Sequence, residues 1–455
     1  MFDGHGLDLS EIPQPISDAE LRLRQSEIAK LCGKDSIIII ANNPESTRSA
    51  DVEYPYRSSS NMIYFVGKNS PESVLCICNS SEGVYSILFV PPRDTVKETW
   101  TGIRLGIDGS LNQYPIDNAL SVENINSELP KLIKSDFSSI YYQLGTSKIV
   151  DEILEKINQN DEDDDNSIKI YNPDENINEM RLKKSDAEID VMRFSCKIAS
   201  ASHIVAMINA KPQMSENQIQ AIIEGSFMHN GSEWSYPSIV GGGDNATVLH
   251  YTENNDRIDD GDLVLIDAGC EVHGYASDIT RTWPINGKFT EPQRQLYELV
   301  LESQIAAIEA CKVGLSFEAP NQAARQVLAR GLMELGILEG PTIEDALGEN
   351  QLGNYFMHRT SHWIGLDVHD VGKTKIDSSP RTLEAGMVLT IEPGLYFGAW
   401  RPDLDIDEKW AGIGIRIEDD VLITEKGYEV LTSDCPKKID ELEKIIGISI
   451  NNRLK

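Results

Sequence analysis

Apolar residues along this chain recur with two periods, and the switches between them set out the elements. Short runs such as Ser36–Ile40 (SIIII), Val84–Val90 (VYSILFV) and Ile140–Leu144 (IYYQL) are rich in β-branched and aromatic residues and predict buried strands. Ahead of them Ser17 precedes Glu20 by three positions, a capping box that opens an amphipathic run through Leu31. These segments predict a mixed α/β first domain. A second capping box, Ser185 with Glu188, opens a helix carrying Ile189, Met192 and Cys196 on one side. A third, Ser215 with Gln218, opens another carrying Ile219, Ile222 and Ile223. The change of pattern places a domain boundary near Asn172 to Glu179, dividing the chain into residues 1–175 and 176–455.

Beyond Met180 the order reads as helices, a hairpin, helices from Pro292 to Leu335, and further strands. Leu263–Asp267 and Tyr275–Trp283 are apolar and β-branched, with a tight turn around Val272 to Gly274. A hairpin folded about Val272 and His273 sets Asp267 opposite Asp278, where cross-strand carboxylates about 5 Å apart would repel. Solvation at the surface would relieve them, but Asp267 ends an apolar run, and a buried ionised carboxylate is paired or coordinates a metal. Downstream, HRTSHWIGLDVHD supplies His358, His362 and His369, LTIEPGLY supplies Glu392, and GIRIEDDV supplies Glu418. The segment WIGLDV reads as a strand whose register sets His369 with Asp367. Period two puts Thr390 with Glu392, and Arg416 with Glu418 and Asp420. Four carboxylates and one neutral imidazole carry four negative charges, which two divalent ions would balance and one would not.

With IDAG, DITRTW, SHWIGLDVHDVG, EPGLY and GIGIRIEDD around them, Asp267, Asp278, His362, Glu392 and Glu418 closely resemble the dinuclear site of the pita-bread metallopeptidases. Within that group the chain is similar to the aminopeptidase P family, because Tyr54–Gly67 (YPYRSSSNMIYFVG) and Glu98–Gly106 (ETWTGIRLG) also resemble that family's N-terminal domain. The resemblance implies an α+β fold class, a mixed α/β domain followed by a curved antiparallel sheet backed by helices in two pseudo-symmetric halves. It also implies hydrolysis of the bond between an N-terminal residue and a following proline, by a hydroxide held between two metal ions. Asp278 and Glu418 would bridge the ions, Asp267 would complete the first, and His362 and Glu392 the second. His250 and His369 match histidines that contact substrate and tetrahedral intermediate, and Arg416 a guanidinium that orients ligands. Glu392 would also shuttle a proton to the leaving nitrogen. His358 would line the proline pocket, with Tyr236 and Tyr396 as further substrate-binding candidates. Trp100 would reach a neighbouring subunit's site, which makes a dimer or tetramer the expected assembly. Four oxygen-donor residues and one imidazole suit manganese, with zinc, cobalt and iron able to occupy the same site. In the family a smaller residue often stands where Arg359 does, at the rim of that pocket.

Composition narrows the partners. A formal net charge of −32 over 455 residues disfavours nucleic acid and anionic membranes. The N-terminus lacks a basic and an apolar signal region, and no apolar run of roughly 18 residues predicts a membrane span, so a cytoplasmic location is expected. The cysteines lack metal spacing, and Cys76 and Cys78 share an apparent buried strand, so reduced thiols are expected. NQNDEDDDNS, Asn158 to Ser167, has no apolar residue and reads as an exposed acidic loop. Gly241–Gly243 is not followed by a Lys-Ser or Lys-Thr pair and reads as a turn feeding the strand of His250. The rival functions are a prolidase, which shares fold and ligands but cleaves only dipeptides, a methionine aminopeptidase, and an inactive pita-bread module that binds peptide.

Overall fold

A computed structural model describes residues 7–160, 168–348 and 351–448. The chain divides into two compact units, Gln14–Arg181 and Leu182 onward, and the segment ending at Pro13 belongs with the second. The division lies a few residues beyond the expected 175/176, because the helix Asp174–Leu182 continues through that position.

In the first unit a six-stranded sheet runs in the order Asn118–Ser121, Gly83–Val90, Val74–Ser80, Ser36–Ala41, Ser139–Tyr141, Lys169–Tyr171. Ser36–Ala41 is central, antiparallel to Val74–Ser80 and parallel to Ser139–Tyr141, which explains why its isoleucines are buried on both faces. Cys76 and Cys78 pack with Ile37, Ile39 and Phe89 in that core. The helix Lys148–Asn160 takes in Asn158–Asn160, so the start of the expected acidic loop is helical; its remainder, 161–167, lies outside the described residues.

The second unit repeats one order of elements. Helices Asp186–Asn209 and Glu216–His229 pack on each other and precede an antiparallel sheet of Ile239–Gly242, Leu263–Asp267 and Thr280–Pro284. Helices Glu291–Glu309 and Ala319–Glu334 do the same before the antiparallel sheet of Val388–Ile391, Asp419–Thr424 and Gly427–Val430. Gly394–Phe397 and Ile413–Arg416 form a further antiparallel pair. The Ser185 capping box forms, with the Ser185 N–H donating to Glu188 at 2.8 Å and the Glu188 N–H to Ser185 Oγ at 3.3 Å. The helix it opens is long and apolar enough to cross a membrane by length and composition, yet 72% of its most apolar window is buried in the protein. Its apolar residues are spent against Glu216–His229 and the strand Cys270–Val272.

Candidate active site

The hairpin after Leu263–Asp267 has a different register from the expected one. Its turn centres on His273 and Gly274, both with positive φ (50° and 90°), the type I′ geometry that suits right-twisted strands. Val272 therefore pairs with Tyr275, and Asp267 faces Thr280 instead of Asp278. Moving the turn by one residue moves every cross-strand partner by two. Asp278 falls in the break between Tyr275–Ala276 and Thr280–Pro284, opposite a second break at Ala268–Gly269. Gly269 permits that approach: a Cβ there would lie 1.7 Å from the Ser277 carbonyl oxygen.

A residue from outside the hairpin brings the two aspartates together. The Tyr236 hydroxyl lies 2.6 Å from Asp267 Oδ1 and 2.5 Å from Asp278 Oδ1. Its single proton can serve only one of them. Asp267 is held on its other oxygen by Arg416, whose second terminal nitrogen donates to Oδ2 at 2.7 Å. The same guanidinium donates to Thr280 Oγ1 (3.1 Å) and the Tyr396 hydroxyl (3.0 Å), so all three nitrogens are spent inside the protein. Thr280 in turn donates to Glu418 Oε2 at 2.6 Å. Sequence reasoning missed Thr280, because its partners Glu418 and Arg416 lie more than 130 positions away in the chain.

The second half of the site comes from loops and strand ends. His362 stands on a loop and not a strand: Trp363 makes a single bridge to Leu389, and Gly365–His369 is a run of bends that leaves His369 exposed. Thr390 anchors the loop, accepting from the His362 N–H at 3.2 Å and donating its own N–H to His362 O at 2.9 Å. His362 Nδ1 faces the Trp363 carbonyl at 3.0 Å, so in the neutral ring the proton sits there and Nε2 is the atom that a metal would take. Nε2 lies 3.5 Å from Asp278 Oδ2 and 3.8 Å from Glu392 Oε1. Glu392 follows Val388–Ile391, and Glu418 sits in the break between Ile413–Arg416 and Asp419–Thr424. That break also corrects the single-strand reading of Arg416 to Asp420. Arg416 and Glu418 line the cavity, whereas Asp420 is buried behind it and accepts from the Asp278 N–H at 2.9 Å.

These groups share one cavity of about 730 Å³, lined by Asp267, Asp278, His362, Glu392, Glu418 and Arg416. Tyr236, His250, His358, Arg359 and His369 line it too. His250 follows the short 3-10 helix Gly243–Thr247 instead of lying on the expected strand, and its side chain is exposed. Tyr396 is buried behind the lining, between Arg416 and His358 Nε2, which it meets at 2.8 Å. His358 Nδ1 donates to the Arg359 carbonyl at 2.8 Å, and burial together with Arg416 lowers its pKa to about 3, so the ring is neutral. Trp100 belongs to the other unit, where it is 84% exposed on the helix Thr95–Thr101 and contributes nothing to this lining.

The donor set fits divalent cations. Asp278, His362 and Glu418 each offer a ligand atom within 4.8 Å of the other two. Burial raises Glu418 well above the carboxylate range, Glu392 to about 7, and Asp267 upward, with the neighbouring carboxylates adding to each. Burial acts the same way on Asp278, but hydrogen bonds from His362 and Tyr236 outweigh it, and Asp278 draws His362 up to about 9 against the imidazole's own burial. Four carboxylates thus meet one permanent cation, Arg416, in a buried place. Cations coordinated by oxygen with one imidazole are what such a set stabilises.

Comparison with known proteins gives a consistent result. The model of metallopeptidase family M24 matches residues 190–425, and that of the aminopeptidase P N-terminal domain matches 21–141. The Xaa-Pro aminopeptidase of Escherichia coli is 42% identical over 440 residues, covering 95% of this chain and 98% of that protein. Human Xaa-Pro aminopeptidase 3 is 34% identical, covering 97% and 88%. Among solved structures, Pseudomonas aeruginosa aminopeptidase PepP superposes with a TM-score of 0.90 at 37% identity, covering 96% of this chain and 99% of that one. A zinc-substituted E. coli aminopeptidase P in complex with product gives 0.90 at 40% identity, with the same coverage.

Proposed function

The chain belongs to metallopeptidase family M24 and carries the aminopeptidase P N-terminal domain, and on that premise we propose that it removes the first residue from peptides whose second residue is proline. The observation that carries this reading is the convergence of Asp267, Asp278, His362, Glu392 and Glu418 on one cavity with His250, His358, His369 and Arg416. An inactive binding module would have no use for an intact ligand set.

Asp267, Asp278, His362, Glu392 and Glu418 would hold divalent ions, which would supply Lewis acidity and water activation. The protein's own groups do the rest. Tyr236 and Arg416 orient Asp267 and Asp278, Thr280 orients Glu418, and the Trp363 carbonyl fixes the tautomer of His362. His250 and His369 are exposed on the cavity wall, which supports a role for them as donors to the oxygen that gains charge at the scissile carbonyl. Neutral His358 offers a flat face for a proline ring, set edge-on to Phe356 with centroids 4.9 Å apart. Glu392, 3.6 Å from His358 Nδ1, is the carboxylate that carries a proton to the proline nitrogen as the bond breaks.

Manganese is the ion favoured by a site with four carboxylates and a single imidazole. An oligomer is supported by the apolar face of the first unit, where Trp100 is 84%, Ile103 86% and Val96 70% exposed. The seven cysteines are buried free thiols, which supports a reducing, cytoplasmic location. The test is to incubate manganese-loaded protein with an Xaa-Pro dipeptide and an Xaa-Pro-Pro tripeptide. Release of the first residue from the tripeptide is the expected outcome. Cleavage of the dipeptide alone would make the chain a prolidase, and cleavage of neither with metal bound would return the binding module.

A further inference from the structure

We propose that Arg359 is a specificity-determining residue that takes a carboxylate on the substrate residue following proline, an inference that rests on the peptidase reading above. The cavity has two lining arginines, and they differ in kind. Arg416 is buried, with a side chain 4% exposed and its nitrogens bonded to Asp267, Thr280 and Tyr396. Arg359 is 59% exposed at the mouth, and among the described residues its ion pair runs from a terminal nitrogen to Glu318 Oε1 at 2.7 Å. A guanidinium has five N–H donors, so most of this fork is left for a ligand.

The position suits the second residue after the scissile bond. An exopeptidase that removes one residue holds the free amino end inside and lets the chain leave through the mouth. Arg359 is three residues from His362, so their Cα atoms are at most about 10 Å apart. An extended substrate advances about 3.3–3.6 Å per residue, which places the carboxyl end of the residue after proline roughly 7 Å from the scissile carbonyl. Its carbonyl accepts from His358 Nδ1, so the backbone of Arg359 is tied to the same wall. Glu318 immediately precedes the helix Ala319–Glu334 and its side chain is only 18% exposed, so it holds the guanidinium and lowers the entropy lost on binding. The carboxylates of the floor, Asp267, Asp278, Glu392 and Glu418, are committed to divalent ions in the loaded site, which leaves the exposed guanidinium of Arg359 as the cation offered at the rim.

The carboxylate could be the C-terminus of a tripeptide or an acidic side chain in a longer peptide. Steady-state kinetics would therefore compare Ala-Pro-Gly with its C-terminal amide, and Ala-Pro-Asp-amide with Ala-Pro-Asn-amide, using manganese-loaded wild type, Arg359→Ala and Glu318→Gln. The expected result is a KM about fivefold lower for the charged member of at least one pair, the size of a part-exposed ion pair, with little change in kcat. The pair that responds names the source. Arg359→Ala brings the ratio to about one, and Glu318→Gln widens it by removing the competing carboxylate. Equal KM values in both wild-type pairs, or a preference that survives Arg359→Ala, would overturn the inference while leaving the peptidase reading intact. If the wild type cleaves none of the four peptides, the peptidase reading fails and this inference with it.

Discussion

Replacing Thr280 by valine keeps the shape of a fully buried side chain and removes one hydroxyl. That hydroxyl donates to Glu418 Oε2 at 2.6 Å and accepts from Arg416 Nε at 3.1 Å, so it joins a metal-ligand carboxylate to the guanidinium that orients Asp267. A hydrogen bond to a charged group contributes about 1.5–3 kcal/mol, and a buried donor left unpaired costs about 1–3 kcal/mol. The lower ends of those ranges together amount to about 2.5 kcal/mol, close to a 70-fold change in an equilibrium constant. Because Glu418 and Asp267 are proposed to hold the ions, the loss is expected in metal affinity, within the roughly 10–100-fold typical of groups that support ligands. Competition with a chromophoric chelator measures it directly. Thr280→Ser, which keeps the hydroxyl, should bind metal within a few-fold of wild type. Saturating metal should recover part of the turnover lost in Thr280→Val. Wild-type affinity in Thr280→Val, or an equal loss in Thr280→Ser, would refute the claim that the hydroxyl positions Glu418.

Further outcomes follow from the same structure. Glu392→Gln at saturating metal should lower kcat by about 10²–10⁴ if it carries the proton, and full turnover with both ions bound would remove that role. Chelation should abolish cleavage and manganese restore it, with a loss of about 2.7 kcal/mol of unfolding free energy for each ion supplied at 100 times its Kd. His203 is fully buried, its Nε2 meeting the Ala268 carbonyl at 3.0 Å, and burial lowers its pKa to about 4. A depressed histidine binds fewer protons folded than unfolded, so its contribution is present above about pH 6.5 and is lost as pH falls toward 4. Denaturant titrations across that range should show a flatter acid limb in His203→Gln than in wild type. Trp100→Ala should raise KM for short peptides more than it changes metal content, and light scattering should show a smaller assembly; a fully active wild-type monomer would count against the proposed oligomer.

Much of the site was legible because its chemistry is local. Asp267 ends an apolar strand and Glu392 follows one, so residue type and neighbouring pattern mark each as a candidate ligand, and the family resemblance groups them with Asp278, His362 and Glu418. The long helices were legible for the same reason, since capping and a 3.6-residue apolar stripe are properties of consecutive residues. Readings that required a strand to continue were the weak ones. His250, His362 and His369 lie on loops or turns, and Arg416 to Asp420 is broken at Glu418, because the chain must leave its sheets to aim polar groups inward.

Sequence alone thus determined which residues carry the charge and which runs must be buried, because both depend on side-chain chemistry and short-range periodicity. Tertiary structure decided the register and the partners. The hairpin's turn at His273 and Gly274 sets Asp267 against Thr280, and Tyr236, more than thirty positions from Asp267, joins that aspartate to Asp278. The fully buried pair of Arg281 and Asp419, 2.7 Å apart and 138 positions apart in sequence, joins the segments bearing Asp278 and Glu418. Such pairings depend on packing between distant segments, where a desolvated charge must find a partner, and which segments meet is not encoded in the order of residues along any one of them.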